Sequence, residues 1–193
     1  MCWACLFPLP PQLQWVSNAC RLLTEGLRQA MEMVALHLRD QALARTTRSE
    51  QDQFARSSFN RFYYAAFLRV RDGLASMAPH WDELAHAAIP ELLRGQISST
   101  LKKQMLQAKR NDDDDLVGAC HFAISAACEL AKLLDVGRMT RVTADYRPDE
   151  PIVFSSGPDF SLNSVTAKTA RSWPQRADAH MWAIEKAWRQ IGG

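Results

Sequence analysis

Apolar side chains recur at threes, fours and sevens over most of this 193-residue chain. A backbone that must bury a stripe with that period packs helix against helix. Val16, Leu23, Leu27, Met31, Val34 and Leu38 mark a first helix from Leu13 to about Arg45. Phe59, Phe62, Tyr63, Ala66, Val70 and Leu74 mark a second, from Gln53 to about Ser76, bounded by Pro79. Arg56, Arg61, Arg69 and Arg71 carry much of the charge around it. The pattern predicts a short helix from Trp81 to Leu93, interrupted near Pro90 and stopped near Gly95, and another from Ile97 to about Ala108. Asn111 to Asp115 then precedes a run rich in small residues, from Leu116 to Val136. Acidic groups and Asn or Asp caps favour a helix start, so this run reads as a helix, with Gly137 as its expected end. From Arg138 to Val165 the breakers Pro148, Pro151, Gly157 and Pro158 predict an irregular segment, more mobile than the bundle between Asp149 and Val165. A final helix is expected from Ser172, where Ser172-Trp173-Pro174-Gln175 has the form of a capping box. Ala177, Met181, Ile184, Trp188 and Ile191 make its apolar stripe. No strand pair is expected. The fold class is all-α: an up-and-down bundle of about five or six helices forming a single compact domain. Residues 1–49 are its leader and first long helix, and 50–193 the remaining bundle.

Function classes fall away next. A net charge of +2 is too small for a general nucleic-acid or membrane binder, so any such partner must meet a local basic cluster. No apolar run is expected to reach the roughly 18 to 20 residues that span a bilayer. The apolar leader from Met1 to Pro11 lacks a basic n-region and is broken by prolines, so no membrane attachment is expected; the true start is Met1 or Met31. Five cysteines, at 2, 5, 20, 120 and 128, form no regular framework and suit a reducing, cytoplasmic compartment.

Cys2-Trp3-Ala4-Cys5 has C-x-x-C spacing but lacks a second ligand pair or a βαβ context. The acidic run lacks the D-x-D-x-D-G order of a calcium loop, so no metal site is expected. P-loop, dinucleotide, nucleophile-elbow and zincin motifs do not occur, and no cofactor is expected. The small residues Gly118, Ala119, Cys120, Ala123, Ala126, Ala127 and Cys128 suit close helix packing, and His121 among them reads as structural. The same run is expected to line a dimer contact.

Three further segments carry a resemblance. Ser58-Phe59-Asn60-Arg61-Phe62-Tyr63-Tyr64-Ala65-Ala66-Phe67 resembles the S-R-x-Y-Y-A-x-F signature of the HEPN domain family. Pro79-His80-Trp81-Asp82-Glu83-Leu84 is similar to the family's next helix start, and Arg141-Val142-Thr143-Ala144-Asp145-Tyr146 to its R-x-x-A-D-Y type segment before the last helix. The resemblance implies a bundle of four or five helices, dimerised so that loops of two protomers meet in one cleft. It also implies a place in a prokaryotic toxin–antitoxin or phage-defence type system, engaging RNA or a nucleotide. Several members are metal-independent ribonucleases in which the Arg and His of an R-x(4–6)-H motif act together, the Arg on the scissile phosphate and the His moving protons. Here four residues follow Arg141 and the next is Tyr146, with no His four to seven places after Arg138 or Arg141. A tyrosine of ordinary pKa is ionised only about once in a thousand at pH 7. The expected catalytic set is therefore Arg141, Tyr146 and Asp145, with Arg138, Arg61, Asn60 and Arg56 as RNA- or nucleotide-contacting residues. The alternative is a non-catalytic interaction module that holds an antitoxin or a nucleotidyltransferase-type partner.

Overall fold

The computed structural model describes the backbone of residues 11–192 and the side chains from residue 25 onward. Cys2, Cys5 and the leader lie outside the described residues, as do the side chains of Val16, Cys20 and Leu23. The elements run α1 (Pro11–Ala44), α2 (Arg48–Met77), a 3₁₀ turn (Pro79–Trp81), α3 (Ala88–Leu92), a π-helical turn (Leu93–Ile97), α4 (Ser98–Arg110) and α5 (Asp114–Tyr146). Three short strands follow, β1 (Val153–Phe154), β2 (Phe160–Leu162) and β3 (Val165–Thr166), then α6 (Ala167–Arg171) and α7 (Trp173–Gln190). Five long helices build the bundle, as expected, with a small sheet added to it.

Helix α2 begins five residues before its expected start because Thr47 caps it. The Thr47 hydroxyl accepts from the Glu50 amide and donates to the Glu50 carboxylate at 2.6 Å, a reciprocal pair like that of a capping box. Its buried set, from Ala55 and Phe59 to Val70 and Leu74, goes nearly all round, as in a helix enclosed on several sides. It packs on α1, α5 and α7. The stripe on α1 is displaced from expectation: Leu27 and Val34 are largely exposed, whereas Ala35 and Ala42, two turns apart, are fully buried. Alanines at the crossing let two backbones approach closely.

Much of the expected helix from Trp81 to Leu93 is not formed. After the 3₁₀ turn the chain stays irregular to Ala87, and Pro90 sits in the first turn of α3, where a missing amide hydrogen costs little. Gly95 does not stop the helix; the π-helical turn carries α3 through it into α4. Gly137 does not end α5 either. A Cβ there would lie 2.8 Å from the Tyr63 ring and 3.7 Å from Trp173, so glycine serves the close approach of α5 to α2. The start of α5 is as expected, with the Asp113 carboxylate accepting from the Leu116 amide at 3.0 Å.

The segment after Tyr146 contains the sheet that the sequence did not suggest. β1 and β3 flank β2 antiparallel. Asn163 and Ser164 join β2 to β3 with both φ angles positive, the conformation of a two-residue type I′ turn made here without glycine. Ile152, Phe160 and Leu162 are buried, and Phe160 meets Phe59 edge-on at 5.6 Å, which fixes the sheet to α2. Ser172 does not cap α7 with its side chain; its hydroxyl donates to the Thr169 carbonyl, and it is Thr166 that caps α6.

By length and composition α5 qualifies to cross a bilayer, which the sequence reading did not anticipate. Its Cys120, Ala123, Ala126, Ala127 and Leu130 are buried in packing within the chain, against α4 and α7. That leaves Gly118, His121, Phe122, Ser125 and Cys128 as the exposed positions from Gly118 to Cys128.

Candidate functional site

One face of α2 is read by the series Arg56, Asn60, Tyr63 and Tyr64, Phe67 and Arg71, spaced to lie along a single side of a helix. That side meets the C-terminal half of α5 and the loop that carries His86. Starting from the end of α5, Arg56 gathers carbonyls of its last turn and of the residues just after it. Nη1 donates to Thr143 O and Ala144 O at 3.4 Å and to Arg147 O at 3.0 Å, Nη2 donates to Glu150 O, and Nε bonds Asp52 at 2.6 Å. Every nitrogen of this side chain is engaged, so Arg56 is a clamp on a helix end rather than a group free to meet a ligand.

One turn further on, Asn60 Nδ2 donates to Asp145 Oδ1 at 2.7 Å, and Asp145 Oδ2 lies 2.9 Å from Arg141 Nε. Both members of that ion pair lie on α5, four residues apart, and not in a loop. The Arg141 guanidinium stands 5.9 Å from the Tyr64 ring centre and 5.7 Å from that of Tyr146, within cation–π range of both. Tyr146 is the last residue of α5 and is exposed. Arg138, one turn before Arg141, makes no hydrogen bond or ion pair with any described residue. Arg61 is a neighbour of Asn60 in sequence only: it is exposed and reaches Met31 on α1, its Nη1 3.8 Å from the sulfur.

The residue that sequence reasoning missed is His86. Its ring stacks on Phe67 with centroids 3.6 Å apart, and its Nδ1 is 2.9 Å from the buried Tyr63 hydroxyl. Burial first, then the positive charges of Arg141, Arg71 and Arg138, hold its pKa below the ordinary value of 6.5, which leaves the ring neutral at pH 7. Burial also raises the Tyr63 pKa, so that hydroxyl keeps its proton. A neutral imidazole with one nitrogen held by a phenol and the other not is an oriented proton donor or acceptor. Periodicity could not reveal it, because Ala85-His86-Ala87 is irregular backbone.

Three arginines therefore surround one neutral histidine, and their pairing is incomplete. Arg71 has Asp82 at 3.5 Å and Arg141 has Asp145. Six buried side-chain polar atoms among the described residues lack a well-aligned hydrogen bond, and four of them belong here: Asn60 Oδ1, Arg71 Nε, Arg138 Nε and Arg141 Nε, of which Arg71 Nε and Arg141 Nε still face the Asp82 and Asp145 carboxylates as ion pairs. Such atoms are uncommon in a folded chain, and their concentration marks a place where polar capacity is left open. Chemically the arrangement offers guanidinium donors for an oxyanion, aromatic faces at Tyr64 and Tyr146, and a proton-handling ring at His86. No cluster of three or more His, Cys, Asp or Glu side chains that could hold a metal occurs among the described residues.

No family model matches the chain, and neither a curated protein nor a solved structure was found to be similar to it.

Proposed function

We propose that this chain is a HEPN-like helical protein that engages the phosphate of an RNA or nucleotide at the surface formed by Arg138, Arg141 and His86, in a toxin–antitoxin or phage-defence type system. The supporting observation is Arg138, with no hydrogen bond or ion pair to any described residue, close to Arg141 and to a neutral, oriented histidine. A phosphodiester supplies the acceptor that Arg138 lacks among the described residues, and Arg donors bind it through paired bonds. Tyr146 and Tyr64 offer faces on which a base stacks.

If the chain cuts RNA, His86 takes the proton-handling role first assigned to Tyr146. Its ring is neutral at pH 7, because burial and the neighbouring arginines lower its pKa, and one of its nitrogens is held by Tyr63. Arg138 and Arg141 then hold the phosphate as charge develops on it. Asp145 positions Arg141 and is itself held by Asn60. The test is binding and cleavage of total RNA by the purified full chain beside Arg138→Gln and His86→Gln. This reading expects Arg138→Gln to weaken binding and His86→Gln to lose cleavage while keeping binding. RNA binding by the wild type that neither variant changes would overturn it.

A second reading, the interaction module, draws on a different observation. Val136 and Met139 are exposed on α5 and line a shallow depression with Thr143, Asn163 and Val165. A second copy of this chain, an antitoxin or a nucleotidyltransferase-type protein would cover this apolar strip. Sedimentation from micromolar to hundred-micromolar concentration tests the homodimer, and Met139→Glu should abolish it.

A further inference from the structure

A fifth unpartnered buried atom, Arg39 Nε, lies in a different place. Arg39 of α1, the Gly157-Pro158-Asp159 turn between β1 and β2, and Lys168 and Arg171 of α6 line an open pocket of about 340 Å³. That volume falls at the lower end of small-molecule sites, roughly 300 to 1,000 Å³. No residue of the Arg138–His86 surface takes part in it.

The charges on its wall are unbalanced. Asp159 is the only carboxylate among the lining residues, and its Oδ1 already accepts from the Phe160 amide at 2.9 Å and the Lys168 amide at 3.3 Å. Arg39 spends Nη1 on Asp40 at 3.0 Å and Nη2 on the Pro158 carbonyl at 3.3 Å, which keeps its guanidinium against the turn with Nε unused. Neither the Lys168 ammonium nor the Arg171 guanidinium has a hydrogen bond or ion pair with any described residue. Gly157 has open space where a Cβ would stand, so a ligand can approach the backbone there. Two guanidinium groups and an ammonium around one small volume match a compact dianion rich in acceptors.

We propose that this pocket binds a phosphomonoester, its terminal phosphate held by Arg39, Lys168 and Arg171. Titrating the ¹⁵N-labelled full chain separately with inorganic phosphate, 5′-AMP and sodium chloride at matched ionic strength tests it. Phosphate and AMP are expected to give saturable shifts at the Gly157, Lys168 and Arg171 amides that chloride does not reproduce. Tighter binding of AMP would show that a nucleoside adds contacts, and equal binding that the phosphate is the whole determinant. The double variant Lys168→Gln/Arg171→Gln changes exposed side chains, so the fold stays intact, and should weaken the site at least about tenfold. Arg138→Gln should leave these shifts unaltered, which separates this site from the RNA reading. Non-saturating shifts, shifts matched by chloride, or full affinity in the double variant would overturn the proposal.

Discussion

On one flank of α2, Arg69 bonds Asp178 at 2.7 Å and Glu185 through two bonds of 3.1 and 3.2 Å, and Arg28 of α1 shares Asp178 at 3.2 Å. On another flank, Arg138 stands near Arg141 and Arg71 with no acceptor of its own among the described residues. Both groups place arginines in partly buried surroundings, yet the first matches every arginine to a carboxylate, whereas the second pairs Arg141 with Asp145 and Arg71 with Asp82 and leaves Arg138 unmatched among the described residues. Matched, the arginines tie α1, α2 and α7 together. Unmatched, Arg138 adds little to the fold and leaves donors for something outside it. The contrast teaches that position on a helix does not assign an arginine its work; the carboxylates within reach do.

Breaking the matched group should have the largest effect. Arg69→Met leaves Glu185, only 12% exposed, without its counter-charge. Removing one member of such a pair costs about 3 kcal/mol or more, and urea denaturation would record it as a lower midpoint. Gly137→Ala comes next. Its methyl would press on the Tyr63 ring, costing about 1 to 3 kcal/mol, of which helix propensity returns up to about 1. Because Tyr63 holds His86, the same variant should disturb the His86 ring signal, a readout that a loss of stability alone would not move. Arg138→Gln should cost less than about 0.5 kcal/mol of stability while lowering RNA affinity about tenfold in filter binding. A fall in stability as large as that of Arg69→Met would erase the distinction between the two groups.

The smallest effect concerns pH. His86 and His180 have pKa values lowered by burial, so each binds a proton more readily unfolded than folded. Their contribution to stability is present above the unfolded pKa near 6.5 and fades as the pH falls through the folded values. Melting temperature should therefore drop on acidification below about pH 6.5, and His86→Phe should flatten part of that slope. A histidine NMR titration that places His86 above 6.5 would contradict this account.

Much of the bundle was legible because long helices with an apolar face announce themselves by period. The parts that escaped notice turn on contacts between distant residues. Gly137 reads locally as a stop signal, and only the Tyr63 ring, far away in sequence, explains it as a close crossing. The β2–β3 turn escaped because Asn163 and Ser164 reach positive φ without the glycine that usually marks it. Of the candidate site, Arg138, Arg141, Asp145 and Asn60 do come together, whereas Arg56 is spent on the end of α5 and Arg61 turns to α1. His86 lay outside any search that looked for a histidine a fixed number of places after an arginine.

The three-stranded sheet also bears on how safely this chain can be made. Its outer strands, β1 and β3, are two residues each, and antiparallel pairing with β2 uses one side of both. Recruitment of another molecule by edge-to-edge growth needs a longer row of open amides and carbonyls than two residues present. Arg48 adds a guard, its guanidinium 4.7 Å from the Phe154 ring centre and donating to the Ile152 carbonyl, so β1 carries a charge where a flat apolar edge would invite fibre formation. A segment built this way presents an edge too short to template the pairing of another chain.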